Sequence, residues 1–297
     1  MREFVVLGTA SQVPTRTRNH NGYLLRWDGE GLLFDPGEGT QRQMIHAGVS
    51  ANQITRICLT HVHGDHCYGL PGVLSRMALD GVKHPVHLHY PASGEDVVRA
   101  LVSVASPGID LRLQPHSGPG EIATGLEVKP LRHRIEAYGY RLTEPDSRTM
   151  LPERLAAAGI SGPDAGRLQR DGELRGVRLE DVSVPRRGQG FAFIMDTAPC
   201  EGAEGLADGV DLLVTESTFS DDDVALAAQY AHLTAGQAGD LAANGGAGKL
   251  VLTHFSARYG DVTILAEQAR ARSGGTAVVP ANDLDRISLP KRERPSS

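Results

Sequence analysis

Cysteine is scarce in this sequence. Its three cysteines, Cys58, Cys67 and Cys200, are odd in number and form no C-x-x-C pair. That argues against a disulfide framework and fits a reducing, cytoplasmic setting. Apolar runs are short as well. None approaches the roughly 20 residues of a membrane span, so no membrane partner is expected. The opening stretch, MREFVVLGTAS, reads directly as a strand and lacks the long apolar region of a signal peptide. A basic excess is also missing. The formal net charge of −6 argues against coating nucleic acid with the whole surface, yet it leaves room for a local basic patch. Internal repeats are absent. What remains is an ordinary globular composition in 297 residues, long enough to bury a sizeable core.

Short β-rich runs recur along the chain, each ending in a turn or a polar residue. They are EFVVLG, GYLLRW, GLLFDPGEG, RICLTH, PVHLHY, LEVKPLRH, FAFIMDT, DLLVTEST and KLVLTHFS. Helical patterns fall between them. EGTQRQMIHAG closes at Gly48, SGEDVVRALVSVAS offers Ser93 as an N-cap with acidic residues in its first turn, and HLTAGQAGDLAANGG ends at glycines. Hairpins come first, and strands alternate with helices later. This order predicts an α/β (α+β) fold in which sheet packs on sheet and helices cover the outer faces. Residues 143–190 differ, being rich in charge and glycine, with one short helical pattern, LPERLAAAGI. They read either as a solvated surface loop or as an arm that touches a partner. The basic C-terminal run LPKRERPSS reads as frayed.

The stretch CLTHVHGDHCYGLPG carries the chemistry. His61, His63, Asp65 and His66 lie within six positions directly after an apolar strand. Imidazole nitrogen and carboxylate oxygen suit borderline divalent metals such as zinc. The spacing is too tight for all four to wrap one ion, and no second cluster lies nearby in sequence. Other strand ends supply candidates of the same type: His133 after LEVKPLRH, Asp196 after FAFIM, and His254 after KLVLT. Seven ligands suit two metals, which clamp the attacking and leaving oxygens of a displacement and lower the pKa of a shared water. A carboxylate can bridge the pair. The surplus positive charge favours an anionic substrate such as a phosphodiester.

H-x-H-x-D-H with the later His, Asp and His resembles the metallo-β-lactamase superfamily, whose fold is a four-layer αβ/βα sandwich. Further blocks are similar to ribonuclease Z, the family of tRNA 3′-processing endonucleases. They are LGTASQVPTRTRNHNGYLL, LLFDPGEGTQRQM, HGDHCYGLPG, HRIEAYGYRL, MDTAPC, VTESTF, HLTAGQAG and LTHFSARY, in that order over roughly residues 3–285. The resemblance implies one domain over residues 1–297, with 143–190 as a substrate-binding arm, or exosite, inside it. It implies two zinc ions per subunit, with manganese as a substitute. His61, His63, His133 and Asp196 would hold one ion, and Asp65, His66, Asp196 and His254 the other. The implied activity is removal of 3′ trailers from precursor tRNA, leaving a 3′-hydroxyl on the tRNA, by a homodimer whose arms serve the partner's active site.

The family gives the position of Asp65 a proton-acceptor role. A metal-bound carboxylate is a weak base, so Asp65 is expected mainly to orient the attacking oxygen. His232 matches a histidine that assists the leaving oxygen, and Glu216 is placed to hold its tautomer. Pro36 stands where the family often has cysteine, and Met195 where it often has glycine. The segment between His133 and Asp196 is somewhat short for the family. Arg167, Arg170, Arg175, Arg186 and Arg187 in the arm are expected to contact phosphates. His87 and His89 share one face of PVHLHY and read as packed or edge residues. His20, His46, His84 and His116 carry no signal. The alternatives are another dimetal hydrolase of this fold, acting on a small phosphodiester, sulfate ester, thioester or lactone, and an RNA-binding or scaffold protein that has lost catalysis.

Overall fold

The computed structural model describes residues 2–105 and 108–290. The basic run at 291–297 lies outside the described residues. The chain divides into two compact units. One takes in the chain up to Leu142 together with Gly190–Pro290, and the other holds Thr143–Gln189.

The larger unit is built on two seven-stranded sheets. The first runs, edge to edge, Arg286–Ser288, Glu3–Gly8, Gly22–Trp27, Glu30–Phe34, Arg56–Cys58, Val86–Pro91 and Leu111–His116. Its hairpin half is antiparallel, and its last four strands are parallel. The second sheet runs Ala277–Pro280, Lys249–Thr253, Leu212–Glu216, Gly190–Ile194, Tyr138–Thr143, Leu126–Pro130 and Gly120–Ala123. Its first four strands are parallel.

Side chains alternate across a strand, and that alternation builds the layers. Phe4, Val6 and Phe34 of the first sheet face a core shared with Phe191, Phe193 and Val251 of the opposing one. Val5 and Leu7 face the other way, against Leu70, Val73, Leu74 and Met77 of the helix Leu70–Leu79. On the second sheet Ala192, Ile194 and Leu213 face Leu241 and Leu265 of the helices Ala235–Asn244 and Thr263–Arg272. The result is the four-layer αβ/βα sandwich. Aromatics hold the middle: the Phe34 and Phe193 rings stack at 4.6 Å, and Tyr23 meets Phe193 edge-on at 5.2 Å. Among the described residues no helix is long and apolar enough to cross a membrane.

The smaller unit is more ordered than its composition predicts. Ser147–Met150 pairs with Ser183–Arg186, and Glu173–Leu174 with Val177–Arg178. The expected helix is present as Pro152–Ala157, and a second, Pro163–Asp171, follows. Ile160, Leu168 and Val182 form a small core of its own. The loop reading is therefore corrected. The second helix buries Leu168 alone, too little for a periodic signal. Ser93 is also corrected as an N-cap. It lies within a 3-10 turn, Ala92–Gly94, that leads directly into the helix Glu95–Ala105.

Candidate metal centre

All the candidate ligands but His133 collect at the carboxyl ends of parallel strands from both sheets, where open α/β sheets gather functional loops. Strand Arg56–Cys58 delivers His61 three residues later. His63 then caps a single helical turn, Gly64–Cys67, which carries Asp65 and His66. Asp196 follows strand Gly190–Ile194 by two residues, and His254 directly follows Lys249–Thr253. His133 stands farther out than its sequence suggests. Its strand ends at Pro130, and the histidine lies in the connection beyond.

Two glycines let the motifs approach one another. A Cβ on Gly69 would lie 2.0 Å from the Gly37 carbonyl oxygen, and one on Gly37 would lie 2.2 Å from the Asp65 carbonyl oxygen. The DPGEG and HGDHCYGLPG segments thus pack backbone on backbone, and the Gly69 amide donates to the Pro36 carbonyl at 2.8 Å. Three site residues also hold left-handed backbone: Asp35 (φ 42°), Asp196 (φ 43°) and His254 (φ 58°). Such non-glycine conformations cost about 1–3 kcal/mol each and persist where the surroundings fix them.

All seven candidate ligands come together. His61, His63, His133 and Asp196 offer ligand atoms within 4.8 Å of one another, and so do Asp65, His66 and His254. In the first set, His61 Nε2 lies 2.9 Å from His63 Nδ1 and 3.5 Å from Asp196 Oδ2, and His133 Nε2 lies 3.7 Å from that oxygen. In the second, Asp196 Oδ1 is 3.4 Å from His66 Nε2 and 3.1 Å from His254 Nε2, while Asp65 Oδ2 is 3.3 Å and 3.5 Å from the same two nitrogens. Asp196 therefore turns one oxygen to each set. Ligands about 2.0–2.1 Å from a tetrahedral centre lie roughly 3.4 Å apart, and these separations bracket that value. Asp196 Oδ1 and His254 Nε2 are buried without a hydrogen-bond partner, an arrangement costly to leave unmet. The residues thus fit a pair of divalent cations. A third grouping, Asp196, His232 and His254, also lies within ligand distance.

The electrostatics divide the histidines. Burial lowers the pKa values of His61, His63 and His133, keeping them in the neutral form that donates a lone pair. Burial also opposes charge on His66, but Asp196, Asp65 and Asp35 outweigh it and raise its pKa well above the ordinary value. Burial pushes Asp196 toward protonation; His254 and His66 reverse this and hold it below the usual carboxylate range. For Asp65, burial is likewise outweighed, chiefly by His66. At His232 burial is overcome by Glu216, and the pKa rises to about 9. Its Nδ1 lies 3.0 Å from Glu216 Oε1. Glu216 is fully buried.

Curated relatives match this chain along nearly its whole length. The ribonuclease Z of Streptomyces coelicolor is 56% identical over 98% of this chain and 99% of its own. That of Nocardia farcinica is 56% identical over 98% and 99%. The chain belongs to the ribonuclease Z family. Residues 15–139 match the model of the metallo-beta-lactamase superfamily. The crystal structure of the short form of human tRNase Z shares the fold, with a TM-score of 0.68 and 24% identity over 97% of this chain and 100% of that one.

The centre also includes residues that sequence reasoning passed over. Asp35 accepts from the Thr60 amide and hydroxyl, both at 2.7 Å, and lies 2.9 Å from His66 Nδ1. Its one signal was a carboxylate at a strand end, the same signal that marked Asp196. Thr60 and Thr218 gave none. A cavity of about 570 Å³ opens over the centre, lined by Tyr68, Arg134, Phe219, Tyr230, His232 and Arg258 among others. His87 and His89 sit on an interior strand, not an edge, with rings stacked at 6.3 Å.

Proposed function

We propose that this chain is a dizinc endoribonuclease that cuts the 3′ trailer from precursor tRNA and leaves a 3′-hydroxyl on the tRNA. The observation that carries this reading is the pair of ligand sets sharing Asp196, in a chain of the ribonuclease Z family. His61, His63, His133 and Asp196 would hold one ion, and Asp65, His66, His254 and Asp196 the other. Five imidazole ligands suit zinc, with manganese as a substitute. The ions supply Lewis-acid stabilisation of phosphodiester charge and ease the deprotonation of water. Two divalent ions against two carboxylates leave net positive charge, which favours a phosphodiester.

The chain's own groups do the rest. Asp65, partly exposed toward the cavity, orients the attacking water. Attack forms the new P–O bond and breaks the bond to the 3′-oxygen. His232 holds its Nδ1–H on Glu216, so its Nε2 is the nitrogen left to protonate that leaving oxygen. Residues 143–190 serve as a tRNA-gripping arm within one domain, in a cytoplasmic homodimer whose arms act on the partner's site. Arg175 and Arg186 in that arm already pair with Asp164 and Glu144, each at 3.0 Å, so a phosphate must compete for them.

Incubating the purified protein with zinc and a trailer-bearing precursor tRNA tests this. A tRNA fragment ending in a 3′-hydroxyl and a 5′-phosphorylated trailer support it. Turnover of bis(p-nitrophenyl) phosphate with no cleavage of the precursor points instead to a small-phosphodiester hydrolase.

A further inference from the structure

Two buried carboxylates at the centre repeat one device. Asp35 Oδ2 receives the Thr60 hydroxyl proton at 2.7 Å and lies 2.9 Å from His66 Nδ1, while the same hydroxyl lies 3.0 Å from His61 Nδ1. Glu216 Oε2 receives the Thr218 hydroxyl proton, Glu216 lies 3.0 Å from His232 Nδ1, and the Thr218 hydroxyl lies 2.8 Å from His254 Nδ1. In each case a carboxylate holds one histidine directly and a second through a threonine. All four of these carboxylate and threonine side chains are buried.

Proton counting fixes the direction. An ionised carboxylate only accepts, and a hydroxyl has one proton to give. With that proton on Asp35, Thr60 can only accept from His61, so His61 must carry its proton on Nδ1. The same logic puts the proton of His254 on Nδ1, facing Thr218. Both rings then turn a bare Nε2 to the ligand cluster. His133 reaches the same state differently, with Nδ1 3.1 Å from the Ala231 carbonyl, and His63 faces the cluster through Nδ1.

We propose that Thr60 and Thr218 are positioning residues that set the tautomers of His61 and His254, and that the two carboxylate–threonine pairs link the metal sets and His232 in one chain. This inference rests on the dimetal reading above. Asp35 with Thr60 joins His61 of the first set to His66 of the second. Glu216 with Thr218 joins His254 of the second set to His232. Thr60 therefore governs both ions, whereas Thr218 governs the second ion and the acid–base histidine. Glu216 has a third tie, accepting the Thr197 amide at 2.6 Å, which anchors the backbone next to Asp196.

Thr→Val keeps the shape and removes the relay, and Thr→Ser keeps the relay. Zinc titration of the full-length protein reads the outcome, since outer partners of metal-binding histidines are typically worth about 10- to 100-fold in affinity. Thr60→Val should weaken both binding steps by about that factor, and Thr218→Val only one. The serine variants should recover most of the loss. Histidine ¹⁵N spectra of the wild type before zinc is added supply a readout that needs no variant to fold. They should show His61 and His254 protonated at Nδ1. Protonation of either at Nε2, valine variants that bind two zinc ions as tightly as wild type, or serine variants as weak as valine would each overturn the assignment. A wild type that takes up no zinc would overturn the dimetal reading itself.

Discussion

At the scale of single residues, the ligand types were legible and their supports were not. His61, His63, Asp65, His66, His133, Asp196 and His254 each advertise themselves by placement after an apolar run. Asp35 does so only weakly, and threonines are too common to stand out; their role exists only once a folded neighbour is about 3 Å away, at hydrogen-bond distance. His63 offers the cleanest test of a ligand. It is only half-buried, so His63→Ala should cost little stability, with a melting temperature within a few degrees of wild type. Cleavage should fall by about 10³-fold or more, because metal stabilisation of transition-state charge is worth several kcal/mol. Global unfolding of this variant would move the histidine from the ligand set to the core.

His89 and His116 show what histidine does away from the centre. Both are buried, and burial lowers their pKa values to about 3 and about 4, from an ordinary 6.5. His89 Nε2 and His116 Nδ1 have no partner. The folded state therefore keeps both neutral, while the unfolded chain takes up protons below pH 6.5. Stability contributed this way is complete above that pH and is lost as the pH falls toward 3. Each histidine adds a slope of about 1.4 kcal/mol per pH unit in its window. Denaturant melts of His89→Gln between about pH 4 and 7, the window in which the two histidines titrate, should show a shallower acid limb than wild type. An unchanged limb would place the titration elsewhere.

At the scale of elements, strands with a polar terminus were read well, because one face or both must be apolar and the run is short. Of the three helices with proline in the first turn, Pro152–Ala157 was legible and two were not. GLPG looks like a turn, yet the helix Leu70–Leu79 starts inside it, with Pro71 in the first turn, where its missing amide costs nothing. Pro163–Asp171 hides in the same way. The charged segment was read from composition, and its small core around Leu168 and Val182 is too short-ranged to leave a pattern. The proposed role as an arm predicts a salt effect. Replacing Arg167 and Arg170 by alanine should weaken precursor tRNA binding. Each arginine–phosphate pairing removed should flatten the plot of log affinity against log salt by about 0.7–0.9. A slope equal to wild type would put the grip on other residues.

At the scale of the whole molecule, two sheets bring seven candidate ligands from distant chain segments to one place. The sandwich followed from the order of hairpins and alternating strands. The division into two ion sets was implied by the family resemblance rather than by spacing; in the fold Asp196 turns its two oxygens to different partners. That division is the central claim. It is tested most directly by following precursor tRNA cleavage as zinc is added in measured equivalents to the metal-stripped full-length protein. The account predicts negligible cleavage after the first equivalent and a rise to the full rate as the second is taken up. Full cleavage at one equivalent, or with none, would contradict it.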